Sequence, residues 1–192
     1  MNGPVEEVVL LDEDGRAVGT SPKGSVHHAA TPLHLAFSCY VFDGDRLLVT
    51  RRALHKPTWP GAWTNSVCGH PAPGEALDDA VRRRVRQELG IGLGELRLVL
   101  PTFRYRAVMP DGTVENEMCP VLVASTTSGD AVRPDPEEVA DAVWEPWPAF
   151  RSDVLDGSRE VSPWCREQVA ALPAEPWTAA AADRSTLPEA LR

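Results

Sequence analysis

All five histidines of the 192-residue chain (His27, His28, His34, His55 and His70) fall between positions 27 and 70, and imidazole is the commonest ligand for divalent transition metals. Singly, each is more ordinarily a surface or hydrogen-bonded structural group, so the weight comes from the company they keep. Glu115-Asn-Glu117 lies in a strand-like segment, where a period of two sets both carboxylates on one face about 6 to 7 Å apart, alongside Cys119. Like charges that close repel unless a metal or a proton compensates them; the other reading is a solvent-facing polar strand face. Cys68-Gly-His70 puts a thiol and an imidazole on one side of an extended chain. A thiol with an ordinary pKa near about 8.5 is readily tuned by neighbouring charge, although most buried cysteines merely pack. Arg84 and Glu88, four apart, read either as a surface ion pair or as a phosphate-binding arginine beside a glutamate that holds Mg²⁺.

These groups need a scaffold, and the hydrophobic pattern predicts one. Val5 to Leu11, the turn Asp12-Glu-Asp-Gly15 and Arg16 to Gly19 read as a hairpin, and Ser21 to Pro32 as a loop. His34 to Phe42 is a nearly continuous apolar run suited to a buried strand, followed by Leu47 to Thr50. Trp63 to His70 is extended. From Glu75 to Gly90 the apolar Leu77, Val81, Val85 and Leu89 recur every four residues, which predicts an amphipathic helix stopped by Gly90. Leu96 to Val108 and Thr113 to Ala124 are β-rich and joined by a turn at Pro110-Asp-Gly112. Val139 to Trp144 is a further strand, and Pro148 to Leu155 and Pro163 to Leu172 are helices. Residues 173–192, with three prolines and an alanine run, read as a peripheral tail.

Composition excludes several classes. At 43% hydrophobic and 24% charged residues the chain is neither disordered nor a disulfide scaffold, and the four cysteines (Cys39, Cys68, Cys119, Cys165) make no C-x-x-C pair. A net charge of −9 opposes a general nucleic-acid surface, so Arg82-Arg-Arg-Val-Arg86 is not read as one and any basic site is local. The longest apolar stretch, Leu35 to Phe42, is far short of the roughly 20 residues that span a bilayer, and no basic segment precedes an apolar one at the N-terminus. A cytoplasmic protein with no membrane or nucleic-acid partner is expected.

Gly69, five residues, Glu75, seven residues, Arg83, then Val85, Glu88 and Gly90-Ile91 follow the spacing of a Nudix box, with Arg84 and Gln87 where the box has metal-holding glutamates. Those departures resemble type I isopentenyl-diphosphate isomerase. So do Leu33-His-Leu-Ala-Phe-Ser38, Leu48-Val-Thr-Arg-Arg-Ala-Leu54, Trp59-Pro-Gly-Ala-Trp-Thr-Asn-Ser-Val-Cys-Gly-His-Pro71, Phe103-Arg-Tyr-Arg106, Glu115-Asn-Glu-Met-Cys-Pro120 and Ser162-Pro-Trp164. The likeness runs from about residue 5 to 172.

The resemblance implies an α/β fold: a Nudix-like sandwich with a mixed central sheet flanked by helices and a small additional N-terminal β-sheet, as one domain over residues 1–172. It implies an enzyme that interconverts isopentenyl and dimethylallyl diphosphate through a tertiary carbocation, the alternatives being a Nudix-type diphosphate hydrolase or a non-catalytic metal- and diphosphate-binding module. His27, His34, His70, Glu115 and Glu117 are then ligands of one Mn²⁺ or Zn²⁺, with spacing to Lys23 and His34 favouring His27 over His28. Glu88 and the backbone carbonyl of Cys68 hold a Mg²⁺ that arrives with the diphosphate, and Lys23, Arg52, Lys56 and Arg84 bind the diphosphate itself. Glu117 with Tyr105 is the acid, Cys68 the base, and Trp164 the aromatic face for the cation. The partner is a small isoprenoid diphosphate, and the chain a monomer or weak homodimer.

Overall fold

The computed structural model describes residues 6–127 and 131–192, so the start of the expected first strand at Val5 lies outside the described residues. In chain order the strands are β1 (Glu7–Leu11), β2 (Ala17–Pro22), β3 (His34–Leu35), β4 (Phe37–Asp43), β5 (Arg46–Arg52), β6 (Trp63–Thr64) and β7 (Val67–Gly69). After helix α1 (Leu77–Leu89) come β8 (Leu93–Leu100), β9 (Arg104–Val108), β10 (Val114–Met118), β11 (Val121–Thr126) and β12 (Val139–Pro146), then α2 (Trp147–Asp156) and α3 (Pro163–Ala171). One sheet has the order β2-β1-β3-β10-β9; the larger has β12-β5-β4-β11-β8, with β6 on β5 and β7 on β4. Pairs β3/β10 and β4/β11 are parallel and the others antiparallel. This is the expected mixed sandwich, except that the smaller sheet is only partly N-terminal: β9 and β10 complete it from mid-chain.

Three segments expected as single β stretches are divided between the sheets. His34–Phe42 breaks at Ala36, Leu96–Val108 at Pro101–Phe103, and Thr113–Ala124 at Cys119-Pro120. Pro101 and Pro120 have no amide hydrogen to continue a ladder. At the joint the backbone pairs instead across the parallel segments, the Ala36 amide donating to the Met118 carbonyl (2.9 Å) and the Ser38 amide to the Pro120 carbonyl (3.0 Å). Two neighbouring chains therefore pass together from one sheet to the other, and the site is built there.

The larger sheet is covered on both faces, so β4 carries no polar alternation. Phe37, Cys39 and Val41 pack with Val81, Val85 and Leu89 of α1 on one side. Tyr40 and Phe42 pack with Trp147, Phe150 and Trp164 from α2 and α3 on the other. Helix α1 stops at Gly90, whose φ of 66° lies in the left-handed region and whose amide donates to the Arg86 carbonyl. Ser162 caps α3 by accepting from the Cys165 amide, with Pro163 in the first turn.

The segment after Pro173, expected as a peripheral tail, is fastened along its length. Arg97 donates to the Ala179 carbonyl (2.9 Å), the Ala182 amide to the Leu98 carbonyl (2.8 Å) and the Ala190 amide to the Gly15 carbonyl (3.0 Å). Leu187 is buried against the α1 core. No described helix is long and apolar enough to cross a membrane.

Candidate active site

Strand register delivers the site residues to the joint. Glu117 of β10 pairs with His34 of β3 on one side and with Tyr105 of β9 on the other. Cys68 of β7 pairs with Ser38 of β4, just past the joint in the larger sheet. Helix α1 reaches the same place because residue 69 is glycine: a Cβ there would sit 2.9 Å from Phe37 Cζ and 3.0 Å from Arg84 Cγ. A side chain at 69 would therefore push α1, with Arg84 and Glu88, off the sheet.

One cavity of about 390 Å³ lies between these elements. Cys68, Tyr105, Glu115, Glu117 and Trp164 line it together with Lys23, Arg52, Lys56, Arg84, Glu88, His27 and His70. His34 stands directly behind, fully buried, whereas His28 and His55 do not line the cavity.

The Nε2 atoms of His27, His34 and His70 converge on a single oxygen, Glu117 Oε1, at 3.8, 3.3 and 3.2 Å. His34 Nδ1 lies 3.0 Å from the Pro32 carbonyl, a contact that requires the ring to donate from Nδ1 and turns Nε2 toward the cluster. The Nε2 atoms of His27 and His34 are buried without a hydrogen-bond partner of proper geometry. Burial lowers the His70 pKa to about 4, so its imidazole is neutral near pH 7. Burial opposes ionisation of Glu117, but the three imidazoles gathered on its Oε1 outweigh it and hold the carboxyl well below the usual range. Burial opposes the charged form of His34, but the neighbouring Glu117 outweighs it and raises that ring's pKa. Three imidazoles and a carboxylate whose donor atoms lie within 4.8 Å of one another can hold a divalent cation.

Glu115 is not among those four converging donors. The Tyr105 hydroxyl lies 2.8 Å from Glu117 Oε2 and 3.0 Å from Glu115 Oε2, so it donates within a run from one carboxyl to the other. Burial and the neighbouring Glu117 charge raise the Glu115 pKa, and the two carboxyls are pushed apart in acidity. Tyr105 is itself held well above its ordinary value by burial.

Across the cavity, Cys68 Sγ lies 3.4 Å from Ser38 Oγ and 3.2 Å from Asn65 Oδ1. Burial pushes the thiol up to about 11, against the Ser38 hydroxyl and the Arg52 charge. The Trp164 ring is buried 5.6 Å from that of Tyr105, with the Arg52 guanidinium 5.7 Å over its face.

The cations at the other end meet internal acids that the sequence did not disclose. Lys23 pairs with Glu6 at 2.6 Å, and Lys56 pairs with Glu138, which also lies 3.3 Å from Arg84. Glu138 belongs to the acidic stretch Asp135-Pro-Glu-Glu138, which in sequence looks like a solvated loop. Arg84 and Glu88 form a buried pair, 6% and 7% exposed, and not the surface pair their spacing allowed, since the close packing at Gly69 draws this face of α1 inward. Burial raises the Glu88 pKa against the pull of Arg84. Arg84→Ala strands Glu88 beside Glu138, and is expected to cost about 3 kcal/mol, or roughly 6 to 12 °C in Tm for a chain of this size. Thermal unfolding checks this; a Tm within a degree of the parent would show that the pair holds nothing together.

Fold and site together define a Nudix protein whose box helix keeps Glu88 but carries an arginine in place of a neighbouring acid. The NUDIX domain family matches residues 32–165. Solved structures of the same fold include a Deinococcus radiodurans protein (TM-score 0.65, 19% identity, 86% of this chain and 98% of that one) and a MutT NUDIX hydrolase from Burkholderia pseudomallei (TM-score 0.56, 19% identity, 73% and 98%). The sequence itself is 61% identical over 170 residues to Isopentenyl-diphosphate Delta-isomerase of Mycolicibacterium vanbaalenii, across 88% of this chain and 92% of that one. It is 54% identical over 193 residues to the Saccharopolyspora erythraea protein of the same name, across 97% of each. The chain belongs to the isopentenyl-diphosphate Delta-isomerase family.

Proposed function

We propose that the cavity at the sheet joint carries out the family's reaction, interconversion of isopentenyl and dimethylallyl diphosphate, with Cys68 and Glu117 as its proton-handling groups. The observation that carries this reading is a single cavity lined by the Cys68 thiol, the Glu117 and Tyr105 oxygens and the Trp164 ring, and continuous with Lys23, Arg52, Lys56 and Arg84.

The substrate has no carbonyl to stabilise an anion, so protonation of the alkene at its terminal carbon gives a tertiary carbocation, and loss of a proton from the carbon on the other side gives the allylic product. No net proton is gained or lost. From the state with the Glu117 carboxyl protonated and Cys68 a thiolate, Glu117 supplies the first proton through Tyr105 and Cys68 accepts the second. From the state their surroundings favour, a Cys68 thiol and a Glu117 carboxylate, the two roles exchange, as they do when the reaction runs backward. Burial opposes the thiolate form of Cys68, while the Arg52 charge and the developing cation favour it. The Trp164 face stabilises that cation, by about 2 kcal/mol where water is excluded, without offering an atom for attack.

The four basic side chains grip the diphosphate: for this Lys23 exchanges Glu6, and Lys56 and Arg84 exchange Glu138, for phosphate oxygens, while Arg52 turns from the Thr58 oxygens. His27, His34, His70 and Glu117 would hold Mn²⁺ or Zn²⁺, which three nitrogen donors suit better than Mg²⁺, and Glu115 joins them if its carboxyl leaves Tyr105. Glu88 and the Cys68 carbonyl would hold a Mg²⁺ brought by the diphosphate. When bound, the ion at the imidazoles would fix the Glu117 carboxylate and the one at Glu88 would neutralise diphosphate charge.

Incubation with isopentenyl diphosphate, Mg²⁺ and Mn²⁺ in D₂O is expected to give deuterated dimethylallyl diphosphate and no free phosphate. Phosphate without allylic product would mark a hydrolase, and binding without turnover a non-catalytic module.

A further inference from the structure

Asn65 is fully buried at the bend between β6 and β7, and its two amide ends serve different purposes. Its Nδ2 donates to the carbonyls of Cys39 (3.0 Å) and Val67 (2.9 Å). Carbonyl oxygens only accept, so the amide cannot be turned over and Oδ1 is fixed as the end that faces the cavity wall. That oxygen receives three donors: Thr64 Oγ1 at 2.9 Å, Cys68 Sγ at 3.2 Å and Trp164 Nε1 at 3.2 Å. Thr64 Oγ1 also lies 2.8 Å from Ser162 Oγ, the cap of the helix that carries Trp164.

We propose that Asn65 is a positioning residue that holds the Cys68 thiol and the Trp164 indole in fixed relation through one carbonyl oxygen. This rests on the reading of Cys68 and Trp164 given above. The thiol must meet one carbon of a flat five-carbon unit while the indole face meets the cation centre beside it, so the two have to be set relative to each other as well as to the diphosphate. Rotating the thiol or tilting the ring breaks a buried hydrogen bond to Oδ1. Of the diphosphate grip only Arg52 meets this set, its guanidinium 5.7 Å over the Trp164 ring, and its hydrogen bonds run to Thr58 and not to Asn65, which separates the two functions experimentally.

The test compares Asn65→Leu with Asn65→Asp. Leucine removes both ends of the amide. Aspartic acid, protonated against two carbonyl oxygens, donates to one of them and keeps an acceptor for the thiol and indole. Expected is a fall in kcat of about 100-fold for Asn65→Leu and about tenfold or less for Asn65→Asp, with KM within about twofold of the parent in both. Equal losses of kcat in the two variants, or a loss carried by KM, would overturn the proposal and leave Asn65 a structural tie. Cys68→Ala is run alongside: if it stays active, the reading of Cys68 fails; if it is inactive while the Asn65 variants match each other, only the positioning role fails. A measurement on the unaltered protein stands whether or not the variants fold. The Trp164 indole N–H is expected to exchange with solvent much more slowly than an exposed indole, and exchange as fast as an exposed one would also overturn the proposal.

Discussion

Cys68→Ala is expected to lower kcat for isopentenyl diphosphate by about 10²- to 10⁴-fold, the range that removal of a positioned proton-transfer group produces. The fold should barely respond. Cys68 is only partly buried and borders the cavity, so loss of its sulfur enlarges a space already open and does not open a sealed void in the core. Its two side-chain contacts, Ser38 Oγ and Asn65 Oδ1, keep other partners: Ser38 accepts from Gln168 Nε2 at 2.9 Å, and Asn65 retains Thr64 and Trp164. A destabilisation of about 1 kcal/mol or less follows. The imidazoles and Glu117 are untouched, so the amount of metal bound per chain should equal the parent's. The three readouts are turnover by NMR, thermal unfolding and metal analysis. Turnover at the parent's level would remove Cys68 from the mechanism, and a large fall in Tm would make the activity loss a folding effect.

The parts of this architecture that were legible in sequence are those set by local repetition. The spacing of Leu77, Val81, Val85 and Leu89 predicted α1 to within two residues of its start, because a helix that buries one face must repeat its apolar positions. The period of a strand likewise set Glu115 and Glu117 on one face, and the cavity receives both. Sequence could not show that β3 to β4 and β10 to β11 cross between sheets side by side, since that depends on pairing between segments about 80 residues apart. Without that crossing, nothing distinguishes Asn65 or Ser38 from ordinary polar residues near turns, or Glu138 from the acids beside it. Burial of Arg84 and Glu88 was hidden for a related reason. Their i, i+4 spacing is the same on an exposed face, and what draws them inward is the absence of a side chain at Gly69 on another element. The family resemblance named most residues lining the cavity; the internal acids Glu6 and Glu138 came from the structure.

The second large effect concerns the three imidazoles. Bringing Nε2 atoms of His27, His34 and His70 around one carboxylate oxygen gathers four metal-ligating groups in a buried space, with the His27 and His34 nitrogens left without a hydrogen-bond partner, an arrangement that a cation would complete. A metal that binds only the folded chain adds its binding energy to folding. At a free concentration about 1,000 times its dissociation constant this is about 4 kcal/mol, or roughly 8 to 16 °C in Tm at this chain length. Chelated protein is therefore expected to melt that much lower than protein refilled with Mn²⁺ or Zn²⁺, and to be inactive until refilled. Mg²⁺ should give a smaller rise, because nitrogen donors suit it poorly. Glu117→Gln should bind the metal weakly, show little difference between stripped and refilled samples, and stay inactive with either ion, since it loses both a ligand and the carboxyl that meets Tyr105. His28→Ala is the control on the neighbouring imidazole and should keep the full metal-dependent rise, because that ring bonds the Ala30 amide and takes no part in the cluster. Scanning calorimetry with metal analysis on these samples decides the matter: a parent protein whose Tm ignores Mn²⁺ and Zn²⁺ alike would mean that the three rings meet for some reason other than to hold a cation.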